Sequence, residues 1–423
     1  MVSVNKYIQF FYKRKTFIFY FVMRALVMLL SLITNIIIVR KLSVNDFGIF
    51  SIANMLIGLI TTFGFSWSSS SILYYGSREK SISGSINKTF WARNIIIIAS
   101  LLVTTVLFIL LRNQINEYVG LNVSFLILCW LYVMVVEDYL IQYFLTVKKQ
   151  VTSSMLSFTA KVVYLITIIV FHFDVQALIM LNILSHATVL VYILKINSRD
   201  IDKFEFDKSW FKEILNFSLW QLFGFSGLYL INFGDTAVIK YFMTNEEVGI
   251  YNAAYKLFNA IASFAFIVSS FYAGAVTEYF ANNKVLKIRK FFYKERLVIT
   301  GLSTAMHVIV ILFSKQIILT LYGEAYRGSI MIFNVLMIGS MLRYFSVFYM
   351  LYYNTNKKYK LQQSINILRA VLNIVLDVIF INLFGLIGPA IATTLSIFVT
   401  LLISYIYCEK RIQSLIKGEL EKV

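Results

Sequence analysis

Proline is nearly missing, with one residue in 423, and there is no Pro/Gly-rich or low-complexity tract. No Pro- or Gly-rich linker is therefore present. The one proline, Pro389, follows Gly385 and Gly388 and opens the last apolar run, at a helix-start position that tolerates it. Two cysteines, Cys129 and Cys408, both lie in apolar runs, so no disulfide framework and no metal spacing is present. His172, His186 and His307 are scattered too widely for a zinc site. Charge is scarce too, at 14% of residues, and acids are the scarcer sign, with 21 Asp and Glu against 39 Lys and Arg. Polar stretches long enough to form a soluble domain are lacking.

What fills the chain is hydrocarbon. The apolar fraction is 59% and the mean hydropathy +0.76, against about 45–50% apolar in a soluble domain. A membrane span needs roughly 20 apolar residues. Twelve such runs are predicted, near 17–39, 47–73, 90–111, 121–147, 152–172, 174–195, 214–241, 248–273, 294–314, 328–354, 362–384 and 386–408. The first follows Lys13-Arg14-Lys15 but is too long for a signal peptide and has no small-residue cleavage site after it, so it reads as an uncleaved helix. The net charge of +18 is topological. Alternate loops and both tails hold about 27 Lys and Arg, the opposite loops about 6, and six lie inside spans. The positive-inside rule then predicts both termini in the cytoplasm, and nucleic-acid binding is set aside.

The chain also repeats itself. Val39-Arg40-Lys41-Leu42, Asn45-Asp46-Phe47-Gly48-Ile49-Phe50 and Ala53 correspond to Ile239-Lys240-Tyr241-Phe242, Asn245-Glu246-Glu247-Val248-Gly249-Ile250-Tyr251 and Ala253-Ala254. Gln114-Ile115 before Gly120 corresponds to Gln316-Ile317 before Gly323, and Lys148-Lys149 to Lys357-Lys358. The expected fold is all-α and polytopic, with two six-helix repeat lobes, at residues 1–200 and 201–423. The mixed-sign segment Lys195–Glu213, which includes Arg199, Asp200, Asp202, Lys203, Glu205, Asp207 and Lys208, reads as the linker. Repeats of one orientation suggest a substrate path between two lobes, which is transporter architecture.

Six cations sit inside spans. Each costs about 2.5–3.5 kcal/mol at a helix centre on insertion scales, so it must face a partner or a wet cavity. Arg93, near a span end, is expected to snorkel. The other five, Arg24, Lys161, Lys256, Arg343 and Arg369, have polar neighbours at helical spacing. Asn366, Arg369, Asn373 and Asp377 share one face, as do Asn252, Lys256, Asn259 and Ser263. Arg24 aligns with Ser31 and Asn35, and Lys161 with Ser154, Ser157 and Tyr164. A cationic cavity follows, suited to a phosphate-bearing substrate because phosphate oxygens accept charge-assisted bonds from Arg and Lys. The intramembrane acids Glu137, Asp138, Asp235 and Asp377 either neutralise cations in the empty state or carry a coupling proton or sodium ion. The competing reading for each of these residues is a structural ion pair or a packing group.

Several of these runs carry a resemblance. Ile38–Ser43 with Asp46–Phe50, then Asp235 with Val248–Leu257, Leu321–Tyr326 and Gly385–Thr394, are similar to the signatures of Wzx-type polysaccharide flippases. These belong to the multidrug/oligosaccharidyl-lipid/polysaccharide exporter superfamily. The likeness extends over the whole chain and carries over Lys256 and Asp235 as cavity positions. It implies a multi-pass protein of the bacterial inner membrane that moves an undecaprenyl-pyrophosphate-linked oligosaccharide, an O-antigen or related lipopolysaccharide unit, to the periplasmic face by alternating access. It implies no catalysis and no cofactor, and by analogy contact with a polymerase and a chain-length regulator. A drug or cation antiporter of the same superfamily would favour an acidic cavity. A membrane polymerase or glycosyltransferase would need long outer loops, and the connections here are short.

Overall fold

In a computed structural model of the chain, residues 15–197, 200–201 and 203–420 are described. Lys13 and Arg14 ahead of the first span, and Arg199 and Asp202 in the charged segment, lie outside them. The described residues are helical nearly throughout and contain no strand. Eleven continuous segments among them are long and apolar enough to cross a membrane, and the last of these, Lys360–Gly418, is two helices around a tight turn at Gly385–Ile387. Divided at that turn, the described residues hold twelve candidate spans, the number the hydropathy predicts.

The chain divides into two compact units, Met1–Ser226 and Gly227–Val423. The first holds α1 (Lys15–Lys41), α2 (Val44–Ile60), α3 (Ser69–Ser83), α4 (Asn87–Leu110), α5 (Arg112–Val119), α6 (Ser124–Thr146), α7 (Gln150–Val170) and α8 (Val175–Ala187). Helix α9 (Lys208–Phe242) runs through the point of division. The second unit continues with α10 (Asn245–Ala281), α11 (Val285–Lys290), α12 (Arg296–Leu312), α13 (Ser314–Tyr322), α14 (Ser329–Thr355), α15 (Tyr359–Phe384) and α16 (Gly388–Leu420). Within the first unit α1 packs on α7 and α3 on α6; within the second, α14 packs on α10 and α16, and α15 on α16.

The repeat noticed in the sequence is a repeat of backbone devices. Ser43 caps α2 by accepting from the Asp46 amide at 3.1 Å. Thr244 caps α10, and Glu247 accepts back from the Thr244 amide at 2.9 Å, which closes a capping box. So the acidic turn in each copy is a helix start. The short helices α5 and α13 end at Gly120 (φ 84°) and Gly323 (φ 94°), where a Cβ would be strained. The paired lysines are turns as well. Lys148 and Lys357 both take left-handed φ, 60° and 56°. Around them Lys149 and Lys358 donate their amides to Phe144 O at 2.7 Å and Tyr353 O at 2.8 Å, five residues back in each case.

The charged segment after α8 is fastened to the first unit. Asp200, 5% exposed, accepts from Lys80 Nζ at 2.6 Å and from the Tyr143 hydroxyl at 2.9 Å, and its carbonyl accepts from the Ile86 amide at 2.9 Å. Lys88 pairs with Asp207 at 3.0 Å, and the Trp210 indole donates to Thr89 Oγ1 at 3.0 Å. The mixture of signs therefore reflects pairing with the turn between α3 and α4. The unit boundary falls beyond this segment, at residue 226 inside α9. Bonds from Ser209 and the Trp210 amide, with the Lys88 ammonium, hold the Asp207 carboxyl below the usual carboxylate range.

Aromatic packing fills the interiors. Phe291, Phe292, Tyr344, Phe348, Tyr352 and Cys408 belong to one buried cluster of the second unit. Leu140, Tyr143, Phe144 and Leu156 belong to one of the first. Leucine and isoleucine meanwhile cover the outside, with Leu102, Ile109, Leu110, Leu302 and Leu312 all more than 60% exposed. Bare aliphatic surface on that scale is stable against lipid chains.

Candidate transport site

Helix α9 carries Asp235 into the second unit, where it is 3% exposed. A carboxylate so placed must be hydrogen-bonded. It accepts from the Tyr251 hydroxyl on α10, from Thr393 Oγ1 on α16 at 2.8 Å and from Asn373 Nδ2 on α15 at 3.1 Å. The same amide donates to Asp377 Oδ2 at 2.9 Å, one turn along α15. Asp377 is fully buried, and its Oδ1 meets no donor among the described residues. Asn252 stands beside them, taking a bond from Thr236 Oγ1 at 3.2 Å and giving one to Val248 O at 3.0 Å. Two buried carboxylates thus share one amide, and neither has an ion pair with Lys or Arg among the described residues. Like charges so close cannot both ionise without a counter-ion. Chemically, the arrangement can hold a proton or a small cation.

Toward the other end of α15, Arg369 and Asn366 line a cavity of about 90 Å³ with Arg343 of α14, Gln362, and Thr400 and Ser404 of α16. Arg343 is 8% exposed and lies 5.6 Å from the Phe258 ring centroid and 5.9 Å from that of Phe266. Its Nε has no hydrogen-bond partner among the described residues. The polar face read along α15 is therefore real but serves two purposes. Asn366 and Arg369 line the cavity with Arg343, whereas Asn373 bonds both Asp377 and Asp235.

The remaining candidates are dispersed. Arg24 is exposed on α1, where its Nε donates to the Tyr20 hydroxyl at 3.2 Å and its guanidinium stacks over the same ring. Lys161 lies half-buried on α7 within electrostatic reach of Glu137. Glu137 is bonded to His186 of α8. Asp138 accepts from Ser69 Oγ. Lys256 and Asn259 are half-buried on α10, and neither lines the Arg343 cavity. Several serines on the supposed polar faces bond only their own helix: Ser31 to Val27 O, Ser154 to Gln150 O and Ser263 to Asn259 O. They are packing groups.

Arg93 does not snorkel. It is 1% exposed, and a break in the preceding span explains why. Between α2 and α3 the chain passes through a π turn at Thr61–Phe65 and a 3-10 turn at Ser66–Ser68. Such turns release backbone groups from the α ladder. Arg93 donates to the Ser68 carbonyl, which also accepts from Ser71 Oγ, at 2.6 Å and to Ser69 Oγ at 3.1 Å, with Asp138 3.8 Å away. Thr393, Tyr251 and His186 were also missed as site residues. Thr393 and Tyr251 stood inside recognisable motifs, whereas nothing local in the sequence ties His186 to Glu137.

Described residues that are helical nearly throughout, with apolar spans in two compact units and charged side chains buried among them, have the architecture of a secondary transporter. The fold agrees with solved examples. It superposes on the lipid II flippase MurJ in its inward closed conformation with a TM-score of 0.74 at 14% identity, covering 95% of this chain and 91% of that one. It superposes on an inward-facing multidrug resistance MATE transporter of the MOP superfamily with a TM-score of 0.67 at 15% identity, covering 92% and 96%. In sequence, residues 14–273 match the family model described as polysaccharide biosynthesis protein, and the chain belongs to that family. A curated relative, the probable low-salt glycan biosynthesis flippase Agl15 of Haloferax volcanii, is 23% identical over 229 residues, 53% of this chain. The match spans about half of that relative, 47% of its length.

Proposed function

We propose that this chain is a flippase for a lipid-linked oligosaccharide of surface polysaccharide assembly. The observation that carries the reading is that a member of a polysaccharide biosynthesis family has two guanidinium groups on one intramembrane cavity that no carboxylate lines. The glycan flippase role of the Haloferax relative and the MurJ-like fold support the same class. The proposed cargo is an undecaprenyl-pyrophosphate-linked O-antigen or related repeat unit, carried by alternating access from the cytoplasmic to the periplasmic face of the bacterial inner membrane. Both termini are proposed to be cytoplasmic, on the strength of the basic-residue bias. Arg24, Lys161, Lys256, Arg343 and Arg369 are proposed to contact the pyrophosphate and adjoining sugar in different states, with Asn252, Asn259, Asn366 and Asn373 as polar lining. The sugar head cannot enter hydrocarbon, so it needs this hydrated route, while the polyprenyl tail stays in lipid.

The proposed coupling group is the pair Asp235 and Asp377, taking up a proton or sodium ion. Each carboxylate is buried beside the other, so occupancy of the pair changes the charge that the second unit carries through its cycle. Glu137 and Asp138 serve as counter-charges. A polymerase and a chain-length regulator are proposed partners downstream. Deleting the gene tests the function. Single repeat units on their lipid carrier should accumulate at the cytoplasmic face, and surface polysaccharide should vanish. Units that reach the periplasmic face unpolymerised would refute the flippase reading. Normal export in both Arg343→Gln and Arg369→Gln, with expression retained, would refute the cavity assignment.

A further inference from the structure

The first unit holds an ionisable cluster of its own. His186 of α8 donates from Nδ1 to Glu137 Oε2 of α6, and both residues are buried within spans. Lys161 of α7 lies within electrostatic reach of the same carboxylate and has no acid within 4 Å among the described residues. One acid therefore serves two basic side chains. The other ionisable groups on the helices around His186 are engaged elsewhere. Asp138 and Tyr139, the next two residues of α6, turn to Arg93 of α4, at 3.8 Å from the carboxylate and 5.6 Å from the ring centroid. Tyr192, in the 3-10 turn after α8, bonds Thr159 at 3.0 Å and carries Lys195 over its ring. The acid of α2, Asp46, accepts from Ser43 Oγ at the helix start.

A layer of unpaired polar groups leads to this cluster. Thr34 and Asn35 of α1, Ser51 of α2, Trp130 of α6, Tyr164 of α7 and Asn182 of α8 each bury a polar atom that has no hydrogen-bond partner among the described residues. Helix α1 packs on α7, α7 on α6 and α8, and α2 on α6 and α8. All six positions lie six or seven residues from the helix end on the side where α1 gives way to α2 and α7 to α8. At 1.5 Å per residue they share one depth, about 9–11 Å. Trp130 stacks on Phe50, the neighbour of Ser51, at 6.0 Å between centroids. The Tyr164 hydroxyl lies beside Asn182 without closing a bond on it. Lys161, His186 and Glu137 stand nine, eleven and thirteen residues in, about 14–20 Å deep. Buried polar atoms concentrated in this way are satisfied by internal water.

We propose that Glu137 and His186 form a proton-binding site of the first unit, reached through this hydrated layer from the end proposed above as periplasmic. An imidazole suits the task, since its ordinary change of charge falls between about pH 5 and 8. With Nδ1–H donated to Glu137, Nε2 is the basic nitrogen. A proton passes from water to Nε2, and the carboxylate then faces an imidazolium and an ammonium together. The cluster goes from balanced to one positive charge, and Lys161 is less fully neutralised. Proton uptake thereby raises the pull of Lys161 on an anion. That consequence rests on the preceding section's reading, whereas the proton site itself does not.

The test is histidine titration in the intact purified chain in detergent. The sequence has three histidines, so isotope-labelled histidine gives three side chains to follow by NMR, each assigned by replacing it. His186 should take up one proton reversibly between about pH 5 and 8 while the chain stays folded. Its titration should move to acid in Glu137→Gln and to alkali in Lys161→Met, each by about one pH unit, the scale of one neighbouring charge. Asn182→Leu, which places hydrocarbon in the layer, should slow proton exchange at His186 and leave its end states as they are. A His186 signal that stays constant over that range, or that titrates alike in the parent and both charge variants, would overturn the site. Should Glu137→Gln fail to fold, Lys161→Met decides the question alone. Exchange as fast in Asn182→Leu as in the parent would overturn the hydrated route. The titration needs no cargo, and gene deletion tests the flippase reading without it, so the two can fail separately.

Discussion

Glu409 offers the sharpest test of how the second unit holds its shape. It sits on α16 at 5% exposure and accepts from Arg296 Nη2 of α12 at 2.8 Å. The hydroxyls of Tyr349 on α14 and Tyr293 in the π turn before α12 donate to its two oxygens at 2.8 and 2.7 Å. Arg296 is itself 7% exposed and lies 4.8 Å from the Tyr349 ring centroid and 5.4 Å from that of Phe292. One carboxylate therefore ties together three helices. Glu409→Gln keeps the volume and removes the charge, which leaves Arg296 buried without a counter-ion. Breaking one side of such a pair costs about 3–5 kcal/mol. For a unit of this size, at about 2–4 °C per kcal/mol, the apparent melting midpoint should drop by roughly 6–20 °C. The assay is thermal unfolding of the detergent-solubilised protein, followed by size-exclusion fluorescence. A second variant, Arg296→Met with Glu409→Leu, removes both charges and should recover most of the loss, because the desolvation penalty goes with them. A single variant within about 1 kcal/mol of the parent, or a double variant no better than the single, would refute the reasoning.

Three further outcomes are expected. Asn373→Leu removes the amide shared by Asp235 and Asp377; it should lower stability by about 1–3 kcal/mol through unsatisfied buried oxygens and abolish glycan export, and full export with normal expression would contradict the coupling role. Gly388→Ala should cut the folded yield severely, since a Cβ there would lie 2.3 Å from the Phe380 carbonyl, and wild-type yield on size exclusion would contradict that geometry. For Asp207 the sign is that of a depressed carboxyl: its stabilisation is present above the ordinary value near 3.9 and is lost as pH falls through the folded-state value. A thermal-stability profile in acid should show this loss in the parent and not in Asp207→Ala; identical profiles would argue against the bond network around it.

Much of the fold was legible because helical order is local. Runs of about 20 apolar residues specify spans wherever they occur. Ser43, Thr244, Gly120, Gly323, Lys148 and Lys357 mark starts and stops by their own backbone chemistry. The polar face of α15 was legible for the same reason, as a periodicity of 3.6. Its division between a carboxylate pair and an arginine cavity was not, since that depends on which neighbour each turn meets. Thr393 reaches Asp235 across 158 positions, and Glu137 reaches His186 across 49. Arg93 looked like a snorkelling end residue because nothing in its own helix reveals a broken turn in the one before it.

The sequence by itself determined the number of apolar spans, the repeat and the family likeness. Only the tertiary structure decided which of the polar and charged residues inside the spans meet. Burying a charge or an amide in hydrocarbon costs too much to be left uncompensated, so each needs a partner, but its identity is settled by the packing of helices distant in the chain.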